Sequence, residues 1–346
     1  MIKQTIQQLL EGKTLTIDEA EKTMSSIMNG NVTDSQIASI LTILRFREET
    51  VEEMIGFTIA MRKKMNQIPY EQRNLVDTCG TGGDKASTFN ISTAAAIVAA
   101  SGGATVAKHG NRAFSSKTGS ADVLEELNIP IQLGEQDTIN RLNEKGMAFL
   151  FAPKFHSSMK NVALSRREIG FRTIFNILGP LANPVACQNQ VIGVFSARYA
   201  KKMAKVLNYL GANHVMLVTG HDGLDEITIS AETDVIEIKA GKIDEYVISP
   251  CQFGMQMSAL HEIQVKTSQQ SATMIEHVFL GKAPISAIHI VALNAGAALY
   301  VSGVKSSLYE GVQYASTLLR NNVAYEKFKS LQEKEGYVHA CENTGN

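Results

Sequence analysis

Asp77-Thr78-Cys79-Gly80-Thr81-Gly82-Gly83-Asp84-Lys85-Ala86-Ser87-Thr88-Phe89-Asn90-Ile91-Ser92-Thr93 sets three glycines and a carboxylate between a short apolar strand and an alanine-rich helix. Glycines take up positive φ and let the backbone approach a ligand closely, while the N–H groups opening the next helix point at whatever negative charge sits there. The stretch reads as an anion cradle at a strand-to-helix turn. The next predicted strand is followed by a basic loop, Lys108-His109-Gly110-Asn111-Arg112, so two consecutive strand ends face one polyanion. The expected ligand is a phosphorylated metabolite. The cradle is not a dinucleotide fingerprint, because its sixth position is Lys85 rather than glycine or alanine. Gly-Lys pairs at 12–13, 241–242 and 281–282 lack the upstream glycine or following hydroxyl of a Walker loop.

Outward from the cradle, strands and helices alternate. Strands are expected at 75–78, 104–107, 147–152, 191–195 and 214–219, with helices at 92–101, 120–127 and 200–210. That order describes an α/β domain with a mostly parallel sheet. Residues 235–239 and 242–248, joined through Ala240-Gly241, form an appended antiparallel hairpin. An apolar helix at 288–301 ends at Gly303, and Ser307-x-x-Glu310 opens another. The prolines of 153–184 bound an excursion from the sheet. Before residue 65, Thr16-x-x-Glu19, Thr33-x-x-Gln36 and Thr50-x-x-Glu53 are capping boxes that open short helices, and Ile37, Ile40, Leu41 and Leu44 share one apolar face.

The 346 residues carry a net charge of −1, so there is no global field for non-specific nucleic-acid binding and any anion site is local. No stretch approaches the roughly 18 uninterrupted apolar residues of a membrane span, and no leader pattern is seen. A cytoplasmic protein is expected. The four cysteines lie far apart without C-x-x-C spacing, which disfavours a disulfide framework or a zinc site. Cys79 reads as a packing residue.

Beyond the cradle, candidate chemistry lies in three places. Lys108, His109, Asn111 and Arg112, with Ser115, Ser116, Lys117 and Ser120 after them, supply cations, amides and hydroxyls beyond a strand end. His109 reads equally as an acid, an electrostatic stabiliser or a structural hydrogen-bonding group. Asp225-Glu226, in the loop after 214–219, suits Mg²⁺, which keeps waters and bridges to phosphate oxygens. Arg166, Arg167 and Arg172 in the excursion offer a guanidinium fork for a substrate carboxylate, with His156 and Lys160 close in sequence.

Taken together, Asp77–Asp84, Asn90-Ile91-Ser92-Thr93, Lys108–Arg112, Gly119–Glu125, Arg166–Thr173, Asn176–Pro184 and Gly223–Thr228 closely resemble the anthranilate phosphoribosyltransferases, in order and over essentially the whole chain. The resemblance implies transfer of a 5-phosphoribosyl group from phosphoribosyl pyrophosphate to anthranilate, with Mg²⁺, in tryptophan biosynthesis. It implies a small all-helical domain plus a larger α/β domain with a mostly parallel central sheet, of the nucleoside phosphorylase/phosphoribosyltransferase type. The division would be 1–70, with a return of about 160–190, and 71–346. A homodimer paired through the helical domain is also implied.

Carried over residue by residue, the donor would be held by Gly80, Gly83, Asp84, Thr88, Asn90, Ile91, Ser92 and Thr93, with Lys108, His109, Gly110, Asn111, Arg112, Ala113, Phe114, Ser115, Ser116 and Ser120 completing its site. Ser92, Asp225 and Glu226 would serve Mg²⁺. Gly80, Asn111, His156 and Arg166 would meet anthranilate, and His109, Asn111 and Arg166 are the catalytic candidates. Lys85, Phe114 and Lys117-Thr118 are variable-looking loop positions. Two other readings stand beside this one: a pyrimidine nucleoside phosphorylase using inorganic phosphate, and a nucleic-acid-binding relative without transferase activity. Net charge and the Asp225-Glu226 pair speak against the latter.

Overall fold

The computed structural model describes residues 2–83, 86–113 and 118–333. Four helices come first: α1 (Ile2–Leu10), α2 (Ile17–Met28), α3 (Asp34–Arg47) and α4 (Val51–Lys64). Thr16, Thr33 and Thr50 cap α2, α3 and α4, each hydroxyl accepting from the third-residue amide while that residue's side chain returns to the cap. All three expected capping boxes form. Gly56 lets α4 cross α2 closely, since a Cβ there would stand 2.3 Å from the Ile17 carbonyl.

The remaining order is β1 (Leu75–Gly80), α5 (Ile91–Ser101), β2 (Thr105–Gly110), α6 (Ser120–Glu126), α7 (Glu135–Lys145), β3 (Met147–Phe151), the one-turn α8 (Ala152–Phe155), α9 (Lys160–Ile169), the one-turn α10 (Phe175–Leu178), β4 (Asn189–Gly193), α11 (Ala197–Tyr209), β5 (His214–Gly220), β6 (Thr233–Lys239), β7 (Lys242–Ile248), α12 (Ser268–Phe279), α13 (Ile285–Val301), α14 (Leu308–Arg320) and α15 (Val323–Leu331). The strands form one sheet in the order β3-β2-β1-β4-β5-β6-β7, parallel from β3 to β5 and antiparallel thereafter. Ala240 and Gly241 turn the hairpin with φ of +49° and +83°, the primed geometry that matches strand twist.

One sheet face packs on α5 and α13, behind which α14 and α15 form an outer layer of the same core. The other shares a core with α11 and the helical bundle, in which Ile192, Val194, Val215 and Leu217 belong to one cluster with Ile27, Leu41 and Phe57. Val162, Ile174, Phe175, Ile177 and Leu178 belong to that same core. Asn161 donates to the Met28 carbonyl at 2.8 Å and Ser165 to Asp34 at 2.7 Å, so α9 is fixed to the bundle. The excursion from the sheet thus returns the chain to α1–α4.

Two expectations need correction. Strand β2 runs to Gly110 rather than stopping at 107, because His109 and Gly110 continue the parallel register opposite Leu150 and Phe151 of β3. Lys108, His109 and Gly110 are therefore strand residues, not a basic loop. Helices α7 and α12 are absent from the expected order; glycine at the N-cap of α7 leaves no hydroxyl signature, whereas Thr267 caps α12.

Candidate active site

Strand β1 lies between β2 and β4, and the chain leaves β1 toward one neighbour and later builds outward from the other. Ligands of open parallel sheets sit outside the carboxyl ends of strands at such a switch point. Here the glycine turn leaves β1 and is tied to the end of β4: Thr81 N–H donates to the Gly193 carbonyl at 2.8 Å and Phe195 N–H to the Thr81 hydroxyl at 3.2 Å. The loop after β5 closes over both. Gly82 N–H donates to Asp225 Oδ2 at 2.8 Å, and a Cβ on Gly193 would fall 1.6 Å from the Asp225 carbonyl oxygen. A Cβ on Gly80 would meet the same carboxylate at 3.1 Å. Only glycine fits Gly193.

The acidic loop is held from both ends. Asp222 accepts from Leu224 N–H at 3.0 Å and from the hydroxyls of Thr228 and Ser230. Buried Asn294 of α13 accepts from Ile227 N–H at 3.0 Å and donates to the Ile227 carbonyl at 2.9 Å. These bonds set Asp225 and Glu226 at the turn. On the other side of the turn, a Cβ on Gly83 would stand 2.2 Å from an Arg172 Nη, and the Arg172 guanidinium stacks 4.4 Å from the centre of the Phe195 ring.

Beneath the turn lies a buried polar layer. Lys108, only 2% exposed, donates to the Thr78 carbonyl and to Ser92 Oγ, the latter at 3.2 Å. Burial pushes its ammonium pKa down, opposed by the charges of Asp77 and Glu226. Asp77 is pushed up by burial, against donors from Asn183 at 2.9 Å and His109 N–H at 3.1 Å and against the Lys108 charge. Lys108 thus acts from below on the floor of the cradle.

The N-terminus of α5 flanks it. Asn90 precedes Ile91, and its Oδ1 accepts from Thr118 at 3.0 Å and Ser271 at 2.9 Å. Thr88 bridges to Gln264, and Val265 N–H donates to the Ser87 carbonyl at 2.8 Å. The Thr93 hydroxyl is buried without a hydrogen-bond partner.

Beyond β2, Asn111 Oδ1 accepts from Arg112 N–H at 2.7 Å, and Ser120 donates to the Asn111 carbonyl at 3.3 Å. Asp122 accepts from the amides of Ala113 and Gly119, both at 3.0 Å, drawing together the ends of this loop. Arg112 forks onto Glu125 with two bonds of 2.6 Å and reaches Asp122 at 2.9 Å. Its charge therefore faces α6. Asp84, Phe114, Ser115 and Ser116 lie outside the described residues.

A cavity of about 530 Å³ opens beside the turn, between the ends of β1 to β3 and the arm carrying α9 and α10. It brings together Gly80, His109, Asn111, His156 and Arg166, with Phe175 and Pro180 as apolar wall. Arg166, in the last turn of α9, lies 5.4 Å from the centre of the Phe175 ring, and burial lowers its pKa. The His109 and His156 rings stand 5.2 Å apart. Burial, with the neighbouring His156, drives His109 down to about 3 against the Gly179 backbone, and burial also lowers His156. Both are neutral imidazoles near pH 7. His109 Nε2 and the ring nitrogens of His156 lie buried in the cavity wall.

Asp225, Glu226 and Ser92 each offer oxygen donors, and no group of three or more His, Cys, Asp or Glu capable of holding a metal occurs among the described residues. Mg²⁺ takes oxygen ligands, one or two of them carboxylates, and completes its shell with water and phosphate oxygens. The residues present fit it.

Gly193, Phe195 and Asn294 escaped the sequence reading, and Asp122 entered it only inside the Gly119–Glu125 motif with no role. A glycine ending a strand beside the switch point was the one available signal.

A helical bundle joined to a mostly parallel sheet, with a glycine turn and paired acids at the switch point, defines a two-domain glycosyl transferase. Residues 3–65 match the helical bundle domain of the glycosyl transferase family, and residues 72–325 its a/b domain. The chain is 55% identical over 335 residues to anthranilate phosphoribosyltransferase of Geobacillus sp. (strain WCH70), spanning 97% of this chain and 98% of that one. It is 52% identical over 341 residues to that of Geobacillus stearothermophilus, spanning 99% and 100%. Among solved structures, anthranilate phosphoribosyltransferase from Thermus thermophilus matches with a TM-score of 0.87 and 37% identity, covering 94% of this chain and 97% of that one. The Saccharomyces cerevisiae enzyme in complex with PRPP and Mg matches with a TM-score of 0.86 and 25% identity, covering 95% and 96%. The chain belongs to the anthranilate phosphoribosyltransferase family.

Proposed function

We propose that the protein transfers the 5-phosphoribosyl group of phosphoribosyl pyrophosphate to the amine of anthranilate, releasing pyrophosphate, in tryptophan biosynthesis. The observation that carries this reading is the 2.8 Å bond from Gly82 N–H to Asp225, which unites the glycine turn and the acid pair at the switch point beside the cavity. The donor would lie along the turn, with Gly80, Gly83, Asn90, Ile91, Ser92 and Thr93 on its diphosphate and ribose side and Asn111, Arg112 and Ala113 opposite. Lys108 supplies charge from beneath Ser92. Asp225, Glu226 and Ser92 would hold Mg²⁺, which neutralises the leaving diphosphate when bound.

Departure of diphosphate leaves positive charge at the ribose C1, so the protein has chiefly to bind the leaving group and aim the amine. The Arg166 fork suits the anthranilate carboxylate, the Phe175 side its ring, and Asn111 with the neutral His109 and His156 its amine. An aromatic amine attacks in its neutral form, and a His109 held near 3 does not serve as an imidazolium acid at neutral pH. The chemistry therefore rests on positioning.

Around this site we divide the chain at 1–70, with the return of about 160–190, and 71–346. Phe46 is 91% and Leu10 64% exposed on the bundle, which supports a homodimer through the helical domain; a monomer by light scattering would refute it. No helix of the described residues is long and apolar enough to cross a membrane, in keeping with a cytoplasmic enzyme. Purified protein with Mg²⁺, phosphoribosyl pyrophosphate and anthranilate should quench anthranilate fluorescence only when all are present. Persistent fluorescence, or release of free base from thymidine with phosphate, would overturn the reading in favour of a phosphorylase.

A further inference from the structure

Arg172, which the sequence offers beside Arg166 and Arg167 as a fork for a substrate carboxylate, is not among the residues that the resemblance or the proposed site gives to either substrate. It leaves the α9 arm just past Gly170, whose φ of +71° ends the helix, and its guanidinium reaches the glycine turn of the other domain. The contact with Gly83 is direct, since a single added Cβ would overlap the fork at 2.2 Å. Phe195, 4.4 Å beneath, fixes the plane of the fork and is itself tied by its amide to Thr81 of the same turn. Arg172 is thus held in place by packing.

Its hydrogen-bonding capacity is a different matter. Arg47 is committed to Glu53, Arg112 to Glu125, Arg198 to Glu48, and Arg62 to the Leu181 carbonyl. Among the described residues Arg172 donates no hydrogen bond and pairs with no carboxylate. A planar fork of five donors, stacked on an aromatic ring and laid against a glycine turn, is shaped for an oxyanion that takes two parallel N–H bonds. We propose that Arg172 is a further donor-binding residue, its fork receiving non-bridging diphosphate oxygens at Gly83. This rests on the proposed transferase function. Because Arg166 sits on the same arm, donor binding would also tie the acceptor wall to the sheet domain.

The test is calorimetric titration of phosphoribosyl pyrophosphate with Mg²⁺ into wild type, Arg172→Gln and Arg172→Lys, alongside steady-state KM for both substrates. Donor affinity should fall about tenfold or more in Arg172→Gln and less in Arg172→Lys, while the anthranilate KM at saturating donor changes by under about threefold. Hydrogen exchange across 160–182 should slow on donor binding in wild type and not in Arg172→Gln. Wild-type donor affinity in Arg172→Gln, or a defect confined to anthranilate, overturns the inference. Should Arg172→Gln fail to fold, Phe195→Leu, which keeps the cation and removes its platform, must weaken the donor at least severalfold, and no weakening refutes the proposal. A wild-type protein that neither binds the donor nor consumes anthranilate refutes the transferase reading itself.

Discussion

Replacing Gly193 by alanine strikes the joint on which the site depends while adding one methyl group. The new Cβ would lie 1.6 Å from the Asp225 carbonyl, against the 3.4 Å at which ordinary contact begins, so the acidic loop must retreat by about 1.8 Å. The opposing atom belongs to the backbone, and no side-chain rotation relieves it. The loop cannot yield freely, being pinned by Asp222 on one side and by Asn294 on the other. Overpacking of this kind costs about 1–3 kcal/mol, seen as a fall of a few degrees in Tm. Displacing a positioning group by about 1 Å costs roughly 10²-fold in rate, so kcat/KM for the donor should drop by about that factor. Anthranilate fluorescence in a donor titration measures it, with circular dichroism to confirm the fold. A folded Gly193→Ala protein within about threefold of wild-type kcat/KM would show that the contact does not set the acid pair.

Arg166→Ala should raise the anthranilate KM by about tenfold or more and the donor KM far less; equal effects on both would remove Arg166 from the acceptor site. Asn294→Ala leaves the Ile227 N–H and carbonyl unpaired inside the fold and should cost about 2–4 kcal/mol in denaturant unfolding, with weaker donor binding; an unchanged midpoint would contradict the clamp. His109 has a folded pKa of about 3, below its unfolded value of 6.5, so the unfolded chain binds the extra proton first. Its contribution is fully present above pH 6.5 and is lost as pH falls toward 3, with a slope approaching about 1.4 kcal/mol per pH unit. A folded His109→Asn protein should lose less stability than wild type between pH 6.5 and 4, and parallel curves would refute the assignment. The same substitution should leave the activity profile between pH 6.5 and 8 unchanged in shape.

Legibility followed the range of the interactions. The three threonine capping boxes, the Ala240-Gly241 turn and the glycine turn of Gly80–Gly83 each close over a few residues, and a single stretch of sequence carries the information. The end of β2 was missed because only the partner strand decides it: Lys108 and His109 look like loop residues until Phe149 and Leu150 lie alongside. Arg112 looked available until α6 supplied Glu125, and Arg172 read as a fork for a substrate carboxylate until the arm laid it against Gly83. Gly193 carried little local signal, because its contact is with Asp225 on the next strand's loop. What a motif could not show was which backbones touch.

The most direct measurement is the binding of phosphoribosyl pyrophosphate by calorimetry with and without Mg²⁺, in wild type and in Asp225→Asn/Glu226→Gln. Wild type should bind tightly with Mg²⁺ and at least tenfold more weakly without it, and the double variant should lose that difference while retaining its fold. Equal Mg²⁺ dependence in both proteins would mean that the acids beside the glycine turn do not hold the ion.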